Sequence, residues 1–160
     1  MSDFIKEMKK QGKIRPISEA FEEFPVELEY HKGDANYFIK EKKVVYGKYN
    51  IGDIVFVKEY EYDDGKKGTD HLFVIIDDNN ICTSLEYFGM TISSNLEKLK
   101  YDSNVLLKKD DTNNLDKDSI VKTDRMYVLI KENIIFKIGE VSLENIEIYK
   151  KKLESIKEYV

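Results

Sequence analysis

The hydrophobic and polar positions of the chain change their period twice. A short helix is expected over residues 3–11, but residues 13–50 show no sustained period. Short β-rich runs separated by polar turns begin at YNIGDIVFV. From Ser142 apolar residues recur every three or four positions, which predicts an amphipathic helix over residues 142–159 with Ser142 as its N-cap.

The β-rich runs are short, and no long helix separates them. In chain order they read YNIGDIVFVKEYEY, HLFVII, ICTSLEYFGMTISS, VLL, SIVKTDRMYVLI and IIFKI. The unbroken apolar character of HLFVII suits a buried strand. Because the crossover helices of a parallel α/β fold are missing, the pattern predicts a mainly β (α+β) domain. We expect a small, strongly bent sheet or barrel, with the terminal helix over an opening or an edge.

The composition fits one globular domain with a modest extension. The chain has 160 residues, of which 41% are hydrophobic and 36% are charged, so we divide it into an extension, residues 1–48, and a domain, residues 49–160. No stretch approaches the roughly 18 apolar residues of a membrane span, and the first ten residues lack the apolar core of a signal peptide. We therefore expect a cytoplasmic protein that makes no use of a membrane.

Metal and disulfide chemistry have little support. The single Cys82 excludes an internal disulfide and a cysteine-based zinc cluster. A carboxylate-only Mg²⁺ or Ca²⁺ site stays open, although the acidic pairs of the chain are better interpreted as turns. No cofactor is expected. The loop DDTNNLDKD, residues 110–118, is the one polar loop long enough to be mobile.

The net charge of −5 is concentrated in one segment. Residues 19–34 hold six acidic side chains against Lys32, whereas the rest of the chain is neutral. A pI of 5.2 argues against binding to duplex DNA, which needs a basic surface. The acidic segment is either an ordinary solvated face or, since SEAFEEFPVELE mixes carboxylates with aromatics, an imitation of RNA that lies over a cationic groove. A third interpretation is that its apolar residues pack on the domain.

Several catalytic motifs are absent, and one family resemblance is present. The chain has no GxSxG, GxxxxGK[ST], GxGxxG or HExxH. It does contain, in this order, YNIGDIVFV, a Gly- and Lys-containing loop, GTDHLFVII, TISSN, LDKDSIVKTDRMYVL and KIGEVSLENI. In this order the segments resemble the MazF/PemK family of toxin endoribonucleases over about residues 49–160. Residues 1–48 fall outside the resemblance.

The resemblance implies an SH3-like barrel, a homodimer and an antitoxin partner. It also implies metal-independent cleavage of single-stranded RNA to a 2′,3′-cyclic phosphate and a 5′-hydroxyl. A family Arg aligns with His71, and a Thr-Ser pair of the family aligns with Ser93 and Ser94. The resemblance therefore implies catalytic roles for His71 and Ser93 and a substrate-binding role for Ser94.

The replacement of Arg by His changes the chemistry that is available. Transesterification of RNA needs a base, an acid and groups that stabilise the phosphorane oxygens. His71 suits proton transfer near neutral pH but lacks the permanent charge of Arg. Lys66 and Lys67 in the adjoining loop can supply that charge, and Arg125 can reach a phosphate or the partner of a dimer. The structural alternative is a buried histidine that is hydrogen-bonded to backbone.

Two functions from different classes follow. The first is a metal-independent endoribonuclease that acts as the toxin of a type II toxin-antitoxin system or as a related defence effector. The second is a non-catalytic SH3-like interaction module derived from such a nuclease, in which His71 marks the loss of activity.

Overall fold

The structure is a computed structural model, and it describes residues 3–17, 19, 49–57, 71–78, 86–101 and 103–156. These residues contain two α-helices and eight β-strands. The helices are α1 (Asp3–Lys10) and α2 (Leu143–Ser155), and the strands are β1 (Ile14–Pro16), β2 (Asp53–Val57), β3 (His71–Asp78), β4 (Glu86–Ser93), β5 (Asn104–Leu107), β6 (Ser119–Lys122), β7 (Met126–Ile130) and β8 (Ile134–Glu140). Two short 3₁₀ helices, Leu96–Lys100 and Lys131–Asn133, connect strands.

The described strands form one sheet that bends sharply at β4. Its order is β1-β7-β4-β3-β2-β8, and β6 pairs with both β4 and β5. β4 pairs with β7 along residues 86–89 and with β6 at residues 92–93. The prediction of a mainly β protein with a C-terminal helix is confirmed. The expected SH3-like barrel is not closed within the described part of the chain, because β1 and β8 end the sheet without pairing with each other.

Both faces of the central strands are buried, which explains the unbroken apolar run of β3. Leu72 and Val74 point into a core beneath α1 and α2, whereas Phe73 and Ile75 belong to a second cluster on the opposite face. All four side chains are fully buried. A strand that is covered on both sides has no solvent-facing position, so its sequence loses the alternation of an amphipathic strand.

Residues 3–17 contribute side chains to both buried clusters. Ile5 and Met8 of α1 are buried in the cluster that contains the α2 residues Ile146 and Leu153. β1 then pairs in parallel with β7, with Ile14 opposite Met126. The boundary between residues 48 and 49 stays a prediction. The acidic segment 19–34 lies outside the described residues, apart from Glu19.

The loop 110–118 is held in place by its own side chains. Asn113 is 2% exposed, and its Oδ1 accepts hydrogen bonds from the backbone N–H groups of Asp110 and Leu115, both at 3.0 Å. Its Nδ2 donates to the Lys108 carbonyl at 2.8 Å. A Cβ on Gly139 would collide with the Asn113 carbonyl, so the glycine lets this loop approach β8 closely. The interpretation of this loop as mobile is therefore not supported by its contacts.

The C-terminal helix begins as the sequence predicts. The Ser142 Oγ accepts a hydrogen bond from the Asn145 N–H at 3.2 Å and so caps α2. Ile146, Tyr149 and Leu153 form its buried face. None of the helices in the described ranges is long and apolar enough to cross a membrane.

Candidate active site

His71 begins β3 and points away from the helices. It shares its face with Phe73, whose ring centroid lies 6.2 Å from that of the imidazole, and His71 is 0% exposed. Burial, with a smaller contribution from the positive charge of Lys122, lowers the pKa of His71 to about 3. The imidazole is therefore neutral near pH 7.

Ser93 lies on the neighbouring strand, on the same face as His71. Phe73 pairs with Thr91 in the antiparallel ladder of β3 and β4. Continuing that register by two residues on each strand places Ser93 opposite His71. Ser93 is 2% exposed, and its Oγ accepts a hydrogen bond from the Asn95 N–H at 3.1 Å. The fold thus brings together the two residues to which the sequence analysis assigned catalytic roles.

Ser94 follows directly after β4 and is 9% exposed. Successive residues of an extended chain point to opposite sides, so Ser93 and Ser94 are not expected to present their hydroxyls to one group. Of these two serines, only Ser93 lies on the face of His71. The substrate-binding role of Ser94 stays a prediction.

Lys122 is a member of this site that the sequence analysis missed. It ends β6, where Ser93 pairs with Ile120, and it is 6% exposed. Val121 points into the helix-covered core, so Ile120 and Lys122 lie on the face that carries His71 and Ser93. The positive charge of Lys122 contributes to the lowered pKa of His71, as expected for a cation on the same face. The sequence shows a lysine directly after the apolar residues Ile120 and Val121. Whether that lysine faces inward depends on how β6 pairs with β4.

The two loop lysines, Lys66 and Lys67, lie outside the described residues, so their roles stay predictions. Aromatic side chains can stack on unpaired bases, and β4 carries two of them, Tyr87 and Phe88. Tyr87 is 4% exposed and packs edge-on against Tyr49 at 6.2 Å, and Phe88 is fully buried. Both rings serve as core residues in this structure.

Arg125 lies in the turn between β6 and β7, three residues beyond Lys122. Its Nε is 3.5 Å from the carboxylate of Asp124, and its side chain is 20% exposed. Arg15 of β1 lies nearby, since it pairs with Tyr127. Arg15 holds Glu19 through two hydrogen bonds, of 2.6 and 2.7 Å. The sequence analysis missed Arg15, because nothing in the motif IRP indicates a strand that joins β7.

The chemistry of the assembled group is that of an oxyanion site. It combines a neutral imidazole, a hydroxyl and a buried cation, which together can accept a proton and stabilise negative charge on oxygen. In the residues that the structure covers, no group of three or more His, Cys, Asp or Glu side chains is arranged to hold a metal ion.

Comparison with known proteins identifies the family. The chain matches the family model for PemK-like, MazF-like toxins of type II toxin-antitoxin systems over residues 50–156. No curated protein matches it. The matched range runs from just before β2 to the end of α2, and so includes every described residue of the candidate site except Arg15. The chain belongs to the PemK-like, MazF-like toxin family of type II toxin-antitoxin systems.

Proposed function

We propose that the protein is the toxin of a type II toxin-antitoxin system and that it cleaves single-stranded RNA without a metal ion. The observation that carries this proposal is the convergence of His71, Ser93 and Lys122 on one face of three neighbouring strands, within the range that matches the toxin family. The split pairing of β4 supports the SH3-like barrel of the family as the architecture around this face.

His71 is the proton-transfer group in this proposal. The neutral imidazole accepts the proton of the 2′-hydroxyl while that oxygen attacks the adjacent phosphorus. The bond from phosphorus to the 5′-oxygen then breaks, and the imidazolium returns the proton to the departing oxygen. The products are a 2′,3′-cyclic phosphate and a 5′-hydroxyl, and no metal ion takes part.

Lys122 and Ser93 stabilise the negative charge that develops on the phosphorane oxygens. A buried ammonium acts at short range in a site of low dielectric, where its interaction with an oxyanion is stronger than in water. The Ser93 hydroxyl donates to a second phosphoryl oxygen. Lys122 thereby supplies the fixed positive charge that is missing when His71 stands in place of an arginine.

A second function is favoured by one observation, the complete burial of His71. An imidazole whose pKa is lowered to about 3 is a weak base. The same face can therefore belong to a non-catalytic module that binds a protein partner and has lost cleavage.

Incubation of the purified protein with a mixed-sequence single-stranded RNA in EDTA separates the two functions. The nuclease yields fragments that end in a 2′,3′-cyclic phosphate and begin with a 5′-hydroxyl. The same assay is run on Lys122→Met, which removes the charge and keeps an unbranched side chain. This variant should cleave RNA more slowly if the site acts as proposed. Intact RNA, or cleavage that EDTA abolishes, contradicts the proposal.

A further inference from the structure

The two arginines of the chain come together in space, although 110 positions separate them in the sequence. Arg15 and Arg125 are the only arginines among 26 basic residues. β1 pairs in parallel with β7 so that Arg15 lies opposite Tyr127, two residues beyond Arg125. The charges also act on one another: the pKa of Arg15 is raised, chiefly by its hydrogen bond and ion pair with Glu19, while the charge of Arg125 opposes that rise.

The contact of Arg15 with Glu19 indicates which chemical groups Arg15 can bind. Its two carboxylate oxygens receive hydrogen bonds from Nε and Nη2 of Arg15, at 2.7 and 2.6 Å. This is the two-pronged geometry by which a guanidinium also recognises a phosphate. The side chains of Arg15 and Glu19 are 43% and 29% exposed, and such an ion pair contributes little to stability. An incoming phosphate therefore displaces the carboxylate at small cost.

An open groove of about 540 Å³ adjoins Arg15. Its walls include Pro16 of β1 and Val128 and Ile130 of β7, and Lys9 of α1 lies at its border. Its volume falls within the ordinary range of ligand sites. Val128 packs against the core beneath the helices, so the groove opens on the helix side of the β1 edge, and the arginines alone provide the contacts to a phosphate.

Arg15 and Arg125 lie on the face of the sheet that carries His71. Both share a face with Tyr127, because Arg15 pairs with it and Arg125 lies two residues before it. The Tyr127 ring packs edge-on against Phe73 at 6.1 Å, and Phe73 shares its face with His71. A single strand of RNA that is bound at His71 can therefore extend along this face to the two arginines.

We infer that Arg15, supplied by the segment that precedes the family domain, forms with Arg125 a phosphate-binding subsite for an RNA nucleotide that flanks the scissile bond. This inference rests on the proposed function, since it takes single-stranded RNA as the ligand. It adds a residue outside the family range to the substrate interface, and it makes Glu19 an internal competitor of RNA.

Fluorescence anisotropy with a 2′-O-methylated single-stranded RNA tests the subsite, because this probe has no 2′-hydroxyl to attack and stays intact. We expect Arg15→Gln to weaken binding about 5- to 10-fold at low salt and to lower the salt slope by about 0.7, the value for one phosphate of a single strand. Glu19→Gln should tighten binding about 3-fold. Lys151→Gln, on the exposed side of α2, is the matched control for loss of one charge.

Three outcomes test the subsite further. If both arginines hold one phosphate, Arg15→Gln combined with Arg125→Gln weakens binding by less than the product of the single effects. Equal affinity of Arg15→Gln and Lys151→Gln overturns the subsite. So does a loss of affinity of Arg15→Gln for oligoglutamate with unchanged affinity for RNA, which assigns the place to an acidic peptide.

Failure of the proposed function gives a different result. Cleavage is measured separately on unmodified RNA, so a protein that binds through Arg15 without cutting refutes the nuclease and keeps the subsite. A protein that cuts, but binds equally well without Arg15, keeps the nuclease and refutes the subsite. Urea unfolding of each variant confirms that it is folded.

Discussion

The Nζ of Lys13 donates a hydrogen bond of 2.8 Å to the carbonyl oxygen of Leu153, which lies 140 residues later in the chain. A second, longer contact of 3.5 Å reaches the Glu154 carbonyl. Lys13 is 0% exposed, so its charge is compensated by the negative end of the α2 dipole and by the carbonyls of the last turn. One lysine thereby ties the N-terminal segment to the C-terminal helix.

We expect Lys13→Met to lower the free energy of unfolding by about 1.5–3 kcal/mol, the range for a hydrogen bond to a charged group. Urea unfolding followed by circular dichroism measures the change. Lys10→Met, at an exposed position of α1, should cost less than about 0.5 kcal/mol. Equal stabilities of the two variants would contradict the stabilising role of the hydrogen bond between Lys13 and Leu153.

Asn113→Ala should destabilise the protein by about 2–4 kcal/mol. The substitution removes three hydrogen bonds of a buried side chain and leaves the Lys108 carbonyl and two backbone N–H groups without that partner. Asp111→Ala, at an exposed position of the same loop, is the control. If hydrogen exchange at Leu115 is equally fast in both variants and in the wild type, Asn113 does not hold the loop.

The stability of the protein should fall in acid because of His71. Its pKa is about 3 in the folded chain and about 6.5 when unfolded, so the unfolded chain binds the proton first as the pH falls. The stability from neutral, buried His71 is fully present above about pH 6.5 and is lost as the pH falls toward 3. Between about pH 6 and 4 the wild type should lose about 1.4 kcal/mol per pH unit more than His71→Gln.

Urea unfolding of the wild type and His71→Gln at a series of pH values measures this difference. Parallel pH dependences of the two proteins would refute it. NMR titration of the imidazole gives a direct reading, and the signal of His31, the other histidine, is assigned from a His31→Gln variant. Lys122→Met should raise the pKa of His71, because it removes a repelling charge, but burial should still hold that pKa below 6.5.

We predict a homodimer in solution. Four large apolar side chains, each 37–54% exposed, lie on the segment from the 3₁₀ helix 96–100 to the strand β5: Leu96, Leu99, Tyr101 and Leu106. A patch of this kind is typical of a protein interface. Light scattering should give twice the chain mass of 18.8 kDa, and Leu106→Glu should give a folded monomer. Leu143→Glu, at an exposed position of α2, should stay dimeric. A monomeric wild type contradicts the prediction.

His71→Ala should slow RNA cleavage by about 10²- to 10⁴-fold, the range for loss of a general acid or base. His71→Arg should recover part of the rate, because arginine restores a fixed charge beside the phosphate. Single-turnover cleavage of a labelled RNA measures both rates, with His31→Ala as the control. Unchanged cleavage by a folded His71→Ala variant removes His71 from the mechanism.

The strands and the terminal helix were predictable because their signals are local. The unbroken apolar composition of HLFVII predicts a buried strand. The hydroxyl of Ser142 predicts the start of α2, which it caps. The short strand Ile14–Pro16 has no such signal, since three residues ending in proline do not resemble a strand. Its place beside β7 is determined by tertiary contacts alone.

The candidate site was predictable in part for the same reason. His71 and Ser93 were found because the resemblance aligns family residues with them, at the beginning and end of recognisable strands. Lys122 was missed because a lysine beside Thr123 and Asp124 resembles the start of a polar turn, and its inward direction depends on how β6 aligns with β4. Arg15 was missed because β7, the strand that β1 joins, lies more than 100 residues away in the sequence.

The parallel pairing of β1 with β7 has a consequence for synthesis of the chain on the ribosome. Ile14 pairs with Met126, which lies 112 residues later in the sequence, so β1 stays without its partner strand until β7 has left the exit tunnel. Contacts between such distant segments close late and slow the folding of a domain. The hydrogen bond of Lys13 forms later still, because its acceptor lies in the last turn of α2. The surroundings of Arg15 therefore form only after β7 has been synthesised.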